Sequence, residues 1–211
     1  EFLVDVSGNA ASQPFVFIEA NARLQVEHTV TEQVTGVDIV QTQIRLAEGV
    51  SISALGLDDD NVSKPRGYAI QARVNMETIQ ADGSVKPASG TLGVYEPPNG
   101  PSVRTDGFGY TGYVTSGLYD SLLAKVICHS PSADFSHAVA RTRRALSEFR
   151  IEGVTTNLSF LANILDEDDL VAGKMHTRWV DDNLGTLTKH VSRPKRFAAG
   201  EGGPTHAIDG F

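Results

Sequence analysis

The 211-residue sequence contains one cysteine, and it has no apolar run near the ~20 residues that a membrane-spanning helix requires. A single cysteine excludes an internal disulfide and is typical of a reducing compartment such as the cytoplasm. Cys128 stands within the apolar segment 122–128, which predicts a buried thiol on a strand. We therefore expect a cytoplasmic protein with no membrane partner.

Positive charge is also scarce, with 18 Lys and Arg against 26 Asp and Glu and a net charge of −8. Proteins that bind nucleic acid concentrate basic residues into a patch or stripe, so we expect no nucleic-acid partner. The sequence contains no P-loop signature for nucleotide binding. Its length allows one large domain or two small ones, and 40% hydrophobic residues suffice for a core.

The most informative stretch runs from Phe15 to Glu32 and reads FVFIEANARLQVEHTVTE. Residues 15–18 are apolar and predict a buried strand. Polar and apolar residues then alternate, and in an extended chain alternate side chains share one face. The polar face would carry Glu19, Asn21, Arg23, Gln25 and Glu27.

These side chains have the chemistry of a combined metal and anion site. Carboxylate and amide oxygens suit Mg²⁺ bound together with substrate phosphates. The guanidinium of Arg23 can hold a small planar anion through two parallel hydrogen bonds, and Glu27 could act as a base. An exposed amphipathic strand shows the same alternation, so periodicity alone does not distinguish the two interpretations.

Distance constrains the interpretation further. Glu19 and Glu27 would lie roughly 26 Å apart if the chain between them were fully extended. A single site containing both carboxylates therefore requires a bend between Arg23 and Glu27.

The motif E-x-N-x-R after an apolar strand resembles the metal-binding strand of ATP-grasp enzymes. The continuation QVEHTVTE at residues 25–32 resembles the biotin carboxylase branch and disfavours other ATP-grasp branches. The resemblance covers residues 1–184, and further matching stretches follow in order. They are QARVN at 71–75, PASG at 87–90, YDS at 119–121 and EGVTTN at 152–157.

The resemblance implies an α+β fold in two parts. Residues 1–57 would form the C-terminal part of an ATP-grasp domain. Residues 67–184 would form a biotin carboxylase C-terminal domain, a short-stranded β region with flanking helices, and residues 185–211 a linker or tail. The family's N-terminal domain and glycine-rich ATP lid have no counterpart in these residues, so we expect the chain alone to be inactive.

The activity that the resemblance implies is that of an ATP-dependent carbon–nitrogen ligase, which carboxylates carrier-bound biotin with bicarbonate and MgATP or MnATP. Glu27 matches the base that removes the bicarbonate proton. The positions that match the metal ligands are Glu1, Glu19 and Asn21. The positions that match bicarbonate contacts are Arg23, Gln25 and the backbone N–H of Val26.

Other matches lie apart from this motif. Arg73 matches the catalytic arginine that holds the ureido oxygen of biotin, and a fixed cation there suits the negative charge that develops on that oxygen. Leu3 and Met175 match residues beside the adenine ring, and Arg104 matches a dimer-interface position.

The implied partners are a biotin carboxyl carrier domain, a carboxyltransferase subunit or domain, and a second copy contacting the C-terminal domain. The alternative is a non-catalytic module for dimerisation or carrier docking. The sequence does not identify the final carboxyl acceptor, which belongs to another domain.

Local patterns predict several secondary-structure elements. Asp38 is a candidate N-cap for a helix that ends before Gly49. Residues 29–35 are threonine-rich and predict a loop, whereas 132–150 have helical periodicity. Predicted strands include 67–75, 93–95, 103–105, 112–115 and 118–129. Two further helices are expected, one capped by Thr156 and one at about 177–184.

Overall fold

A computed structural model describes residues 1–5, 15–58 and 64–189. These divide into two compact units, residues 1–65 and 66–211. The polar segment 7–14, whose Gly, Asn, Ser and Pro residues favour a turn, and most of the expected tail lie outside the described residues. In the part of the chain that the structure describes, no helix is both long and apolar enough to cross a lipid bilayer.

The first unit contains two short strands followed by two helices. Its elements are β1 (Phe2–Val4), β2 (Phe15–Phe17), α1 (His28–Thr35), α2 (Ile39–Ala47) and a 3₁₀ turn at Ser53–Leu55. Strands β1 and β2 are consecutive in the chain and pair antiparallel as a hairpin. Within the described residues they pair only with each other and are exposed on both faces. The prediction of a buried strand is therefore wrong, although Phe2 packs edge-to-face on Phe15 and Phe17.

Helix α1 replaces the loop that the threonine-rich sequence predicted. The helix contains β-branched Thr and Val residues of low intrinsic helix propensity, so local sequence disfavours it. Burial outweighs this preference, because Thr29 is fully buried in the helix. Gly36, with φ 77°, then ends the helix in the left-handed conformation.

Helix α2 follows its sequence pattern closely. The side chain of Asp38 accepts a hydrogen bond from the backbone N–H of Gln41 at 2.8 Å, as expected of an N-cap. Gly49 has φ 90° just after the helix ends. Both predicted helix boundaries are confirmed.

The second unit is built on a three-stranded antiparallel sheet with flanking helices. Its elements are β3 (Tyr68–Asn75), β4 (Glu77–Ile79), β5 (Val85–Pro87), β6 (Val94–Glu96), β7 (Val103–Gly107), β8 (Leu122–Ser130), α3 (Phe135–Glu148), β9 (Arg150–Glu152), α4 (Leu158–Leu165), α5 (Asp168–Val171) and α6 (Trp179–Leu187). The sheet order is β3-β8-β7, and β4–β5 and β6–β9 form separate pairs. The α+β prediction is confirmed.

Alternation along β3 and β8 defines the core of this unit. Ala72 and Val74 of β3 pack beside Ala124 and Val126 of β8, and helix α3 covers this face. The strand predicted at 67–75 is therefore confirmed, and Arg73 lies on its opposite, exposed side. Cys128 is fully buried on β8, and burial raises the pKa of its thiol.

Three predictions for this unit need correction. Helix α4 is preceded by Asn157 rather than capped by Thr156. Residues 112–115 form only an isolated bridge, Thr91 with Val114. Helix α6 continues to Leu187, three residues beyond the predicted end of the domain at 184. The side chain of Asn163 donates to the carbonyl of Leu187 at 2.7 Å, so packing against α4 extends the helix.

The EGVTTN stretch contains a glycine whose conformation and surroundings both exclude a side chain. Gly153 has φ 93°, and a Cβ there would clash with the carbonyl oxygen of Thr91. Gly112 has nearly the same φ, 91°, with no atom within 4 Å of an added Cβ. A comparison of alanine substitutions at these two positions therefore distinguishes the cost of backbone strain from the cost of steric overlap.

We predict that Gly153→Ala destabilises the chain more than Gly112→Ala. The Gly112 variant carries only the left-handed backbone cost, about 1–2 kcal/mol, whereas the Gly153 variant must also displace the backbone at Thr91. Equilibrium urea denaturation of both purified variants measures the difference. Equal losses would show that this close approach is not a constraint.

Candidate functional site

The polar motif of the first unit is not a strand. Strand β2 ends at Phe17, and residues 18–25 are irregular. The backbone N–H of Arg23 donates to the carbonyl of Asn21 at 2.8 Å, which closes a three-residue turn around Ala22. The predicted extended polar face is therefore wrong, because this turn interrupts the alternation at its centre.

A second turn follows directly. The N–H of His28 donates to the carbonyl of Gln25 at 3.2 Å, and Glu27 is the N-cap residue of α1. The bend required between Arg23 and Glu27 is thus present. The base candidate Glu27 stands at the start of a helix, and the metal candidate Glu19 stands at the end of a strand.

The predicted metal ligands gather at the open end of the hairpin. The amide nitrogen of Asn21 donates to Oε1 of Glu19 at 2.8 Å, so its amide oxygen remains available to a cation. Glu1 lies opposite Ile18 in the ladder, with the N–H of Ile18 donating to the Glu1 carbonyl at 2.9 Å. Glu1 is therefore one ladder position away from Glu19. Glu1 and Glu19 are both exposed.

This donor set fits a hard divalent cation that keeps other ligands. Nowhere in residues 1–5, 15–58 and 64–189 do three or more His, Cys, Asp or Glu side chains form a metal-holding group. Two carboxylates and one amide, each binding through one oxygen, leave half of an octahedral shell to water and phosphate oxygens. Mg²⁺ is usually held in proteins in this way.

A cavity of about 330 Å³ lies next to the turn. Its lining includes Arg23, Gln25 and Glu27, so the structure brings together a guanidinium, an amide and a carboxylate predicted for one anion site. Val26 is exposed in the turn itself. The cavity is large enough for a small oxyanion.

The cavity is also lined by residues for which the sequence predicted no role, among them His28 and Gln43. Nδ1 of His28 lies 3.1 Å from Oε1 of Glu32, one helical turn along α1. The same Glu32 oxygen accepts the backbone N–H of Ile39 at 3.0 Å. These contacts tie the start of α1 to the start of α2 and stabilise the turn that carries Glu27.

Arg73 lies in the second unit, on the exposed face of β3. Its cross-strand partner on β8 is Lys125, which in turn faces Asp106 on β7. Nζ of Lys125 lies 3.7 Å from Oδ2 of Asp106. Arg104 binds both oxygens of Asp106, at 2.7 and 2.8 Å. Asp106 therefore binds two cations on this face, and Arg73 lies on the next strand beyond Lys125.

Asn157 fixes the backbone that carries Arg73. Its side-chain nitrogen donates to the carbonyl of Arg73 at 3.1 Å, and its side-chain oxygen accepts from the N–H of Asn75 at 2.9 Å. Its own N–H donates to the carbonyl of Asn75 at 3.1 Å. Asn157 thus provides hydrogen-bond partners for backbone groups at the end of β3. Among the described residues, no strand pairs with this edge of β3. The EGVTTN motif was the only sequence signal for this role.

The two positions matched to the adenine ring lie in different units. Leu3 is on β1 and half exposed, and Met175 is partly buried between α5 and α6. Arg104 matches a dimer-interface position. Its guanidinium donates a hydrogen bond to Asp106 of the same chain.

Both halves of the chain match families of known proteins. The family model described as the biotin carboxylase C-terminal domain matches residues 71–182. The model for the ATP-binding domain of the carbamoyl-phosphate synthase L chain matches residues 1–55. The chain is 44% identical to human mitochondrial pyruvate carboxylase over 184 residues, covering 87% of this chain and 15% of that protein.

Two solved structures are also similar. A single-chain, multi-domain long-chain acyl-CoA carboxylase matches with 46% identity and a TM-score of 0.78, over 85% of this chain and 20% of that one. The biotin carboxylase domain of 2-oxoglutarate carboxylase from Hydrogenobacter thermophilus, in complex with MgADP and bicarbonate, matches with 36% identity and a TM-score of 0.76. That match covers 84% of this chain and 37% of the other. The chain thus spans a minor part of each relative.

The hydrogen bonds of Asn157 predict a specific loss of stability. We expect Asn157→Ala to lower the free energy of unfolding by about 1–3 kcal/mol, because it leaves partly buried backbone groups of β3 without partners. Asn99→Ala, an exposed loop substitution, is the control and should change little. Urea denaturation measures both, and similar small effects would contradict the role of Asn157.

Proposed function

The chain belongs to the biotin carboxylase family, and on that premise we propose that it carries part of the active site for ATP-dependent carboxylation of carrier-bound biotin. The proposal depends chiefly on one observation. Arg23, Gln25 and Glu27 line the cavity of the first unit, and Asn21, whose amide binds Glu19, is joined to Arg23 by the three-residue turn. A bicarbonate site and a metal-nucleotide site would then adjoin each other.

Glu27 is the proposed base for the first half-reaction. Its carboxylate takes the proton of bicarbonate, whose oxygen then attacks the γ-phosphorus of ATP and displaces ADP. Arg23, Gln25 and the N–H of Val26 hold the bicarbonate oxygens in position for this attack. Glu1, Glu19 and Asn21 would hold Mg²⁺ or Mn²⁺, which neutralises phosphate charge when bound.

Arg73 is the proposed catalytic residue of the second half-reaction. The carboxyphosphate product of the first step releases CO₂ and phosphate, and the phosphate removes the biotin N–H proton. The guanidinium of Arg73 stabilises the negative charge that develops on the ureido oxygen while nitrogen attacks CO₂. Leu3 and Met175 are each proposed as a contact to the adenine ring.

The proposed partners are a biotin carrier domain, a carboxyltransferase and a second copy of the chain. The relatives named above include pyruvate and long-chain acyl-CoA carboxylases, so both acceptor classes remain open. We propose a reducing compartment, the cytoplasm, on the basis of the buried thiol of Cys128. The mitochondrial name of the human relative gives the alternative location.

A second candidate function is a non-catalytic docking or dimerisation module. The segment 108–119 of the second unit favours it, because its large apolar side chains are strongly exposed. Leu118 is 87% and Tyr119 84% exposed. Such a patch is typical of a protein interaction surface.

We predict that substitutions of Glu19 and Glu27 have different kinetic effects in an intact carboxylase that carries this sequence. Glu19→Gln should weaken MgATP binding, because a charged metal ligand is lost. Glu27→Gln should leave that binding near normal and lower kcat by about 10²–10⁴-fold, the usual contribution of a positioned base. Nucleotide titrations and steady-state ATP cleavage separate the two effects.

The control for this pair is Glu167→Gln, a substitution on the second unit between α4 and α5, which should change neither quantity. Equal losses of MgATP affinity in the Glu19 and Glu27 variants would identify Glu27 as a metal ligand. The assignment of the base would then be wrong.

We also predict that the purified 211-residue chain shows no bicarbonate-dependent ATP cleavage by itself. Glu1, Glu19, Arg23 and Glu27 are all exposed, so water competes for every charged contact that the reaction needs. A coupled ADP-release assay with and without bicarbonate tests this. Turnover comparable to that of an intact carboxylase would refute the prediction.

A further inference from the structure

A largely buried carboxylate connects the two helices that contribute to the cavity of the first unit. The start of α1 contributes Glu27 and His28 to the lining of this cavity, and α2 contributes Ile39 and Gln43. The distance between the two helix starts therefore determines how far the proposed base lies from the α2 side of the cavity. Glu32 of α1 contacts both helix starts.

The two contacts share one oxygen atom. Oε1 of Glu32 accepts a hydrogen bond from the backbone N–H of Ile39 at 3.0 Å, and Nδ1 of His28 lies 3.1 Å from the same oxygen. Among the described residues Nδ1 has no aligned hydrogen-bond partner, so its attraction to the carboxylate is electrostatic. Only 9% of the Glu32 side chain and 12% of the His28 side chain are exposed. Contacts shielded from water in this way are stronger than the same contacts on a surface.

The contact with Ile39 also suits the start of α2. The first N–H groups of a helix have no partner within the helix, and the helix dipole favours a carboxylate beside them. Asp38 accepts from the N–H of Gln41, and Glu32 accepts from the N–H of Ile39. One of the N–H groups that begin α2 is therefore bound by a side chain of α1.

We propose that Glu32 is a positioning residue for Glu27. By holding His28 and Ile39 at one carboxylate oxygen, Glu32 fixes the start of α1 relative to α2. It thereby fixes the backbone that carries the base at the edge of the bicarbonate cavity, without itself contacting bicarbonate or metal. The inference rests on the proposed function of Glu27 as the base.

The competing explanation is that Glu32 only stabilises the first unit. A purely structural role lowers the fraction of folded enzyme and leaves the kinetic constants of the folded molecules unchanged. A positioning role changes the bicarbonate step in the folded molecules, because a displaced base transfers the proton less efficiently. The readouts are therefore kcat and KM for bicarbonate, compared with the affinity for MgATP, in samples normalised to folded enzyme.

The test measures bicarbonate-dependent ATP cleavage by an intact biotin carboxylase that carries this sequence. Glu32→Ala should lower kcat by about 10- to 100-fold, the range that a displacement of about 1 Å can produce, and should leave MgATP affinity unchanged. Glu32→Gln keeps an oxygen that can accept from the N–H of Ile39, so this variant should retain most of the activity. Glu48→Ala, at the exposed end of α2, is the matched control and should change neither quantity.

The decisive variant combines Glu32→Ala with Glu27→Gln. In an enzyme that lacks the base carboxylate, Glu32 has no base to position, so the double variant should cleave ATP about as fast as Glu27→Gln alone. A role of Glu32 that is independent of Glu27 predicts that the two losses multiply.

The outcomes separate this inference from the function on which it rests. Unchanged kcat in Glu32→Ala, a Glu32→Gln variant as impaired as Glu32→Ala, or multiplied losses in the double variant would refute the positioning role. Normal kcat in Glu27→Gln would instead refute the proposed function of Glu27. If Glu32→Ala shows no cooperative thermal transition, Glu32→Asp replaces it in the same cycle, because its carboxylate is one methylene short of both contacts.

Discussion

The backbone at Arg73 is held from two sides, by pairing with β8 and by the amide side chain of Asn157. No strand pairs with the other edge of β3 among the described residues. At the end of that edge, Asn157 binds the carbonyl of Arg73 and the N–H of Asn75 from a loop that is far away in sequence but adjacent in space. The N–H of Gly93 donates to the carbonyl of Glu152, and this bond and the close approach at Gly153 fix the loop. One amide side chain thus replaces strand pairing at the end of β3.

The site in the first unit is organised differently, at the junction of a strand end, two turns and a helix start. Its side chains are exposed, so their electrostatic interactions are weak while water surrounds them. The contact of His28 with Glu32, and that of Glu32 with the N–H of Ile39, are less exposed and hold the backbone. The backbone that carries Glu27 is therefore fixed in place. The described residues of the first unit do not themselves exclude water from the charged side chains.

How far sequence predicts this structure depends on whether local or distant contacts decide each element. The N-cap of α2 and the strand β3 depend on local or strictly periodic patterns, and both were predicted correctly. Helix α1 was missed because its propensities are poor and the burial of Thr29 decides the outcome. The role of Asn157 was also missed, because hydrogen bonds across more than 80 residues leave no local pattern. The chemistry of the motif at residues 19–27 was recognisable from residue types alone. Its backbone conformation, with two turns in place of a strand, was not.

The irregular backbone of the motif explains how its spacing can serve one site. In a strand, residues two apart repeat every ~6.6 Å along a line, which spreads five polar side chains over a length no small substrate spans. A three-residue turn at Ala22 and a second turn before α1 shorten that path. The alternation of residue types therefore does not correspond to one polar face of a strand. The two turns bring the residues of the motif closer together along the chain than an extended backbone would.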